Sequence, residues 1–163
     1  MNEEAREVYM ELWGLCTNTR PPLRHRYRSL RESFERIARE QMQNVSLQST
    51  DLAARINYLS VQFSLKDECK NALHTFRLTS NNVMNHRKEP IIQEFLRDVR
   101  SVADAYACIF STHVPEELGD VLPKRMSKTS MKRGKNVFSR RLRVCLEYAD
   151  DEFLYVNPVD EVS

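Results

Sequence analysis

Glycine is nearly missing: the chain has three among 163 residues, and they are scattered. Neither a GxxxxGK[ST] phosphate loop nor a GxGxxG fingerprint can be drawn through them, which excludes those nucleotide-binding loops from this stretch. No GxSxG elbow and no HExxH zinc helix occurs either. The four cysteines, Cys16, Cys69, Cys108 and Cys145, stand singly without a CxxC pair. That spacing carries no zinc signature, and thiols beside apolar stripes read as small hydrophobes rather than ligands or disulfides. No apolar run approaches the roughly 18 residues that would span a bilayer. The acidic start Met1-Asn2-Glu3-Glu4 lacks the order of a signal peptide. These absences predict a cytoplasmic chain with no membrane contact, no metal and no cofactor, and no internal repeat is present.

Charged residues, by contrast, make up 29% of the chain. Much charge and little glycine favour helices with solvated outer faces. Apolar spacing predicts a first helix over Glu3 to Cys16 (Ala5, Val8, Leu12, Leu15), stopped by Pro21-Pro22. A second runs from about Leu23 to Gln43 with Tyr27, Leu30, Phe34 and Ile37 on one side. Its other faces are rich in arginine, and Glu32–Arg36 and Glu35–Arg39 have the spacing of surface ion pairs. A third, capped by Ser49 or Thr50, carries Leu52, Ile56, Leu59 and Phe63. The fourth carries Cys69, Leu73 and Phe76. The fifth has Pro90 in its first turn and a stripe of Ile92, Phe95, Val99, Val102, Tyr106 and Ile109. A short helical tail starts at Pro115-Glu116-Glu117 and stops at Gly119 or Pro123.

The pattern changes after Pro123. Residues 1–123 hold 16 basic and 17 acidic residues, whereas 124–143 hold nine basic residues and no acidic one. Those nine, Lys124, Arg125, Lys128, Lys132, Arg133, Lys135, Arg140, Arg141 and Arg143, are the candidate nucleic-acid contacts. Residues 124–139 read as a basic linker. Leu142, Val144, Leu146 and Tyr148 then alternate with polar neighbours, and Phe153-Leu154-Tyr155-Val156 answers as a second strand. The expected organisation is a helical bundle over 1–123, a linker over 124–139 and a β-hairpin over 140–163. A lone hairpin is marginal in water, so it is expected to pack on the helices, pair with a partner, or open a following domain.

One constellation has the makings of chemistry. Between the fourth and fifth stripes lie Arg77, Asn81, Asn82, Asn85 and His86. Histidine passes protons near neutral pH and arginine stabilises phosphate charge, so Arg77, His86 and Asn81 are the catalytic candidates for metal-free RNA cleavage. The structural alternative has asparagines and His86 satisfying backbone groups at the turn, with Arg77 paired to an acidic residue of a neighbouring helix.

The string Thr75-Phe76-Arg77-Leu78-Thr79-Ser80-Asn81-Asn82-Val83-Met84-Asn85-His86, followed by a helix ending Asp104-Ala105-Tyr106-Ala107-Cys108-Ile109-Phe110, resembles the HEPN-type helical domains. It is most similar to the variant preceding the motor of type I restriction subunits and some bacterial superfamily-one helicases. Asn81-Asn82 stands where Gly-Asn is usual. Ser80 occupies the place of the arginine in active HEPN ribonucleases, a departure at the cation that catalysis would need. The resemblance covers about Leu52 to Phe110. It implies an antiparallel bundle of about five helices, here with a C-terminal hairpin. It further implies a non-catalytic N-terminal interaction domain of a nucleic-acid-processing ATPase, with DNA favoured over RNA as partner. A downstream ATPase domain in the same chain and a homodimer are the other partners it suggests. A HEPN ribonuclease and a regulatory scaffold without nucleic-acid contact remain the alternatives.

Overall fold

The computed structural model describes residues 1–46, 51–124, 144–146, 149–150, 152–153 and 157–159. By its contacts the chain divides into Met1–Pro123 and Lys124–Ser163. The first unit is mainly helical: α1 (Glu3–Thr17), α2 (Leu23–Gln41), α3 (Leu52–Gln62), α4 (Asp67–Met84), α5 (Ile92–Ile109) and α6 (Glu116–Val121). Among the described residues, no helix is long and apolar enough to cross a membrane.

The helices form where apolar periodicity and capping agree. The Asn2 side chain caps α1 by accepting from the Ala5 N–H at 2.7 Å. Asp51 caps α3, accepting from the Ala54 N–H at 2.9 Å. The cap expected at Ser49 or Thr50 falls on residues outside the described ones. α4 packs against α2, α3 and α5, and α1 against α2, α5 and α6. The centre is aromatic. Phe34 of α2 lies edge-on to Phe76 of α4 (6.1 Å) and stacks on Tyr106 of α5 (6.3 Å). Tyr9 of α1 meets Tyr106 at 6.5 Å, tying the first helix to the same centre.

Several expected boundaries move. Asn81 and Asn82 are not in a turn; they form the last turns of α4, which runs on to Met84 because Ser80 and Val83 extend its buried face. Pro90 precedes the N-cap Ile91 instead of occupying the first turn of α5. Ile92 belongs to the exposed end of its stripe, at 39% exposure. Gly119 does not stop α6 but lies inside it, where Leu118 is buried.

With glycine so scarce, other residues take the left-handed positions that end helices. Ser64, His86 and Ser111 have φ of 53°, 59° and 52°. Each is followed by a residue whose N–H reaches back five positions: Leu65 to Ser60 (2.9 Å), Arg87 to Asn82 (2.8 Å) and Thr112 to Ala107 (3.0 Å). These are Schellman closures of α3, α4 and α5 without the usual glycine.

In the second unit the backbone of β1 (Val144–Leu146) pairs antiparallel with β4 (Asn157–Val159), and β2 (Ala149–Asp150) with β3 (Glu152–Phe153). The expected hairpin of Leu142–Tyr148 with Phe153–Val156 is not shown. Leu142, Arg143, Glu147, Tyr148 and Leu154, Tyr155 and Val156 lie outside the described residues.

Candidate functional site

The polar groups of the bundle gather along α4, and arginines of α2 organise them. α2 runs antiparallel to α4, so Arg24 at its start meets the end of α4 and Arg31, two turns on, meets the middle. Arg24 Nε donates to the Val83 carbonyl at 2.9 Å. Arg31 Nη1 donates to Ser80 Oγ (2.9 Å), to the Arg77 carbonyl (3.3 Å) and to Asn81 Oδ1. Its Nε also faces Glu35 at 3.3 Å. On the other side, Arg26 is 95% buried and donates to the Leu15 and Cys16 carbonyls at 2.9 and 3.2 Å. The guanidinium also lies 5.0 Å from the ring centroid of Phe95. Neither α1 nor α4 has a basic residue in its last turn. Arginines of α2 supply that charge to the orphan carbonyls from outside.

The ion pairs differ from those the spacing suggested. Arg36 reaches across to Glu11 of α1 at 3.1 Å instead of Glu32, and Glu35 is held by Arg31 instead of Arg39. Sequence separation of four permits a pair on one helix. It does not compete with a better-placed carboxylate on the next.

A histidine other than the expected one occupies the polar seam. His74 Nε2 lies 2.9 Å from Asn57 Oδ1 on α3, and Nδ1 accepts from Arg77 Nε at 3.3 Å. An amide oxygen and a guanidinium on the two ring nitrogens fix the neutral tautomer with its proton on Nε2. Burial, and then the charges of Arg77 and Lys70, push the His74 pKa down to about 4. Arg77 is itself lowered from its ordinary value, by burial and by neighbouring Arg31, with Asp51 acting in the opposite sense. Asp51, the α3 cap, is the acidic group of a neighbouring element that faces Arg77.

The catalytic candidates make different contacts. Arg77 joins His74, Asn81 accepts from Arg31, and His86 is the exposed left-handed residue closing α4. Among the described residues no hydrogen bond or ion pair joins His86 to Arg77 or Asn81. His74 was legible as a histidine next to the Leu73 stripe position, but its partner Asn57 is 17 residues away and has no pattern of its own. Of the nine basic candidates, Lys124 is described and exposed. Arg125, Lys128, Lys132, Arg133, Lys135, Arg140, Arg141 and Arg143 lie outside the described residues. Cys16 and Cys69 are half-buried and Cys108 is exposed. Among the described residues no group of three or more histidine, cysteine or acidic side chains could hold a metal ion. No family model, no curated protein and no solved structure matches the chain.

Proposed function

We propose that the helical unit is a non-catalytic interaction domain and that the basic segment Lys124–Arg143 is its contact to nucleic acid phosphates. The charge partition carries this reading: nine cations and no acid in 124–143, against a preceding 123 residues that carry 16 basic and 17 acidic side chains. The arrangement of the helices supports it. Arg24, Arg26, Arg31 and Arg77 already serve carbonyls or neighbouring side chains within the bundle, so its interior cations are engaged. The resemblance to the accessory domains of superfamily-one helicases and restriction motor subunits suggests DNA as the polymer and an ATPase as the larger machine. The ribonuclease alternative requires Arg77 and His86 to act together, and no described contact favours that.

Salt dependence tests the proposal. Binding of the chain to a short DNA duplex, followed by fluorescence anisotropy, should weaken roughly a hundredfold or more between about 50 and 200 mM salt, because each phosphate contact releases counterions. The combined variant Lys132→Gln, Arg133→Gln, Lys135→Gln should bind more weakly and with a shallower slope. Binding that is indifferent to salt, or absent, leaves the scaffold reading in its place. Metal-independent RNA cleavage abolished by His86→Ala would replace it with the ribonuclease.

A further inference from the structure

The bundle is near neutral as a whole, but its charge is sorted. Residues 12–31 carry five basic residues, Arg20, Arg24, Arg26, Arg28 and Arg31, and no acid. Residues 69–88 carry four, Lys70, Arg77, Arg87 and Lys88, again with no acid. All 17 acidic residues of 1–123 fall elsewhere, among its seven other basic ones. The fold lays the two acid-free stretches side by side. Arg24 bonds the Val83 carbonyl, and Arg31 bonds Ser80 and the Arg77 carbonyl, so the first half of α2 runs along the second half of α4. Arg28 stands between Arg24 and Arg31 on one stripe of α2, at spacings of four and three, and is exposed. Exposed Arg20 precedes α2. Exposed Arg87 follows α4, its N–H held by the Asn82 carbonyl at 2.8 Å. Carboxylates from the borders reach only part of this set. Glu35 faces Arg31 at 3.3 Å, Glu94 faces Lys88 at 3.2 Å, and the exposed Glu89 lies 3.8 Å from Arg24. Among the described residues, Arg20, Arg28 and Arg87 have no ion pair.

We infer that this α2–α4 face is a second contact for nucleic-acid phosphates, built into the helical unit. The inference rests on the reading of the chain as a nucleic-acid binder, but not on the basic segment 124–143. A guanidinium bonded to a carbonyl or a hydroxyl keeps its charge, so Arg24 and Arg31 add to the field while held in place. Arg20, Arg28 and Arg87 are left to reach the ligand. Besides its burial, Arg77 is lowered by the neighbouring charge of Arg31. An anion on this face relieves that repulsion. A nucleic-acid strand is the occupant that fits, because its charge has one sign and is unbroken along its length. The two stretches match it with cations alone. Arg26 turns inward, and six of the eight cations that remain are arginines, whose planar fork takes two phosphate oxygens at once. Exposed Asn85, one turn from Asn81, sets a neutral donor among them, of the kind that bonds phosphate or sugar.

The test uses the full chain and a short DNA duplex, followed by fluorescence anisotropy. The variant Arg20→Gln, Arg28→Gln, Arg87→Gln should bind about tenfold or more weakly near 100 mM salt, with a log–log salt slope shallower by about two to three. All three residues are exposed, so the melting temperature should hardly change. Arg6→Gln, Arg39→Gln, Lys66→Gln changes the net charge equally at exposed sites outside the two stretches, and should cost less than about threefold. Unchanged binding in the α2–α4 variant, with weaker binding in Lys132→Gln, Arg133→Gln, Lys135→Gln, overturns the inference and leaves the basic segment as the contact. The reverse result supports the inference and removes the basic segment from that role. Equal losses in the α2–α4 and control variants overturn it, since net charge alone would account for them. Polyglutamate of matched charge provides a last arm, added to the chain that carries the three changes at 132, 133 and 135. Displacement of the duplex as readily as by unlabelled DNA overturns phosphate as the partner and makes the face a site for acidic protein. A chain that binds no DNA overturns both readings.

Discussion

The Tyr27 hydroxyl donates to Asp98 Oδ2 across 2.7 Å, joining α2 to α5 at a point where both residues are fully buried. The second carboxylate oxygen accepts from Arg97 Nε and Nη2 at 3.2 and 3.1 Å. The Tyr27 ring lies edge-on to Phe95 at 5.0 Å. Burial pushes Asp98 above the ordinary carboxylate range, while Arg97 and the Tyr27 hydroxyl pull the other way. Its hydrogen-bond partners, Tyr27 of α2 and Arg97 of α5, tie the carboxylate to both helices, so the group fixes their crossing.

Removing the carboxylate should therefore cost much more than removing its donor. Asp98→Ala leaves Tyr27 and Arg97 without an acceptor and is expected to destabilise the fold by about 3–5 kcal/mol in urea denaturation. Tyr27→Phe, which keeps the ring against Phe95, should cost about 1–3 kcal/mol. Equal losses in the two variants would show that packing, not the hydrogen bond, matters at this point.

Arg26 is a second case of buried polarity replacing a local cap. Its charge is met by two carbonyls at the end of α1 and by the face of Phe95, so the planar fork is the useful feature. Arg26→Met should retain the packed stem and lose roughly 2 kcal/mol of stability. Arg26→Lys should recover only part of that. Full recovery by lysine would mean that positive charge alone suffices.

How far these contacts could be read from sequence differs by kind. The stripe Tyr27, Leu30, Phe34, Ile37 was legible because helical periodicity is local, and all four are buried. Asp98 sits on the same face as Phe95 and Val102, an acid among apolar positions. That marks it as partnered, but the partner is 71 residues away and periodicity cannot name it. The arginines of α2 give no local sign of their role for the same reason: capping by a side chain from another helix depends on how the helices cross. The sequence pattern understates the extent of α4 because asparagines favour turns, whereas Ser80 and Val83 gain more from burial than Asn81 and Asn82 lose in propensity.

The three Schellman closures make a prediction about the scarcity of glycine. A side chain at a left-handed position costs roughly 1–2 kcal/mol, and part of that is offset because glycine is more flexible when unfolded. Ser64→Gly, His86→Gly and Ser111→Gly should each raise stability by roughly 0.5–1 kcal/mol. His86→Gly has a further use. If DNA binding is unchanged and the melting temperature rises, the imidazole has no role in that binding, in keeping with its exposed place at the end of α4.

His74 gives the fold a dependence on pH whose sign follows from its low pKa. In the unfolded chain the imidazole takes up a proton as pH falls through about 6.5, whereas in the bundle it stays neutral until about 4. The unfolded state thus binds more protons between those values, and stability falls as the solution is acidified through that window. Above about pH 7 the group contributes no slope. Because His74 is only partly buried, solvent screening reduces the effect to about 1–2 kcal/mol. Glutamine at this position can still donate to Asn57 but does not titrate. The difference in unfolding free energy between the wild-type chain and His74→Gln should therefore grow in the variant's favour from pH 7 to pH 4. Following the His74 ring by NMR over the same range should give a midpoint near 4, and a midpoint near 6.5 would mean that Arg77 and Asn57 do not hold the ring as described.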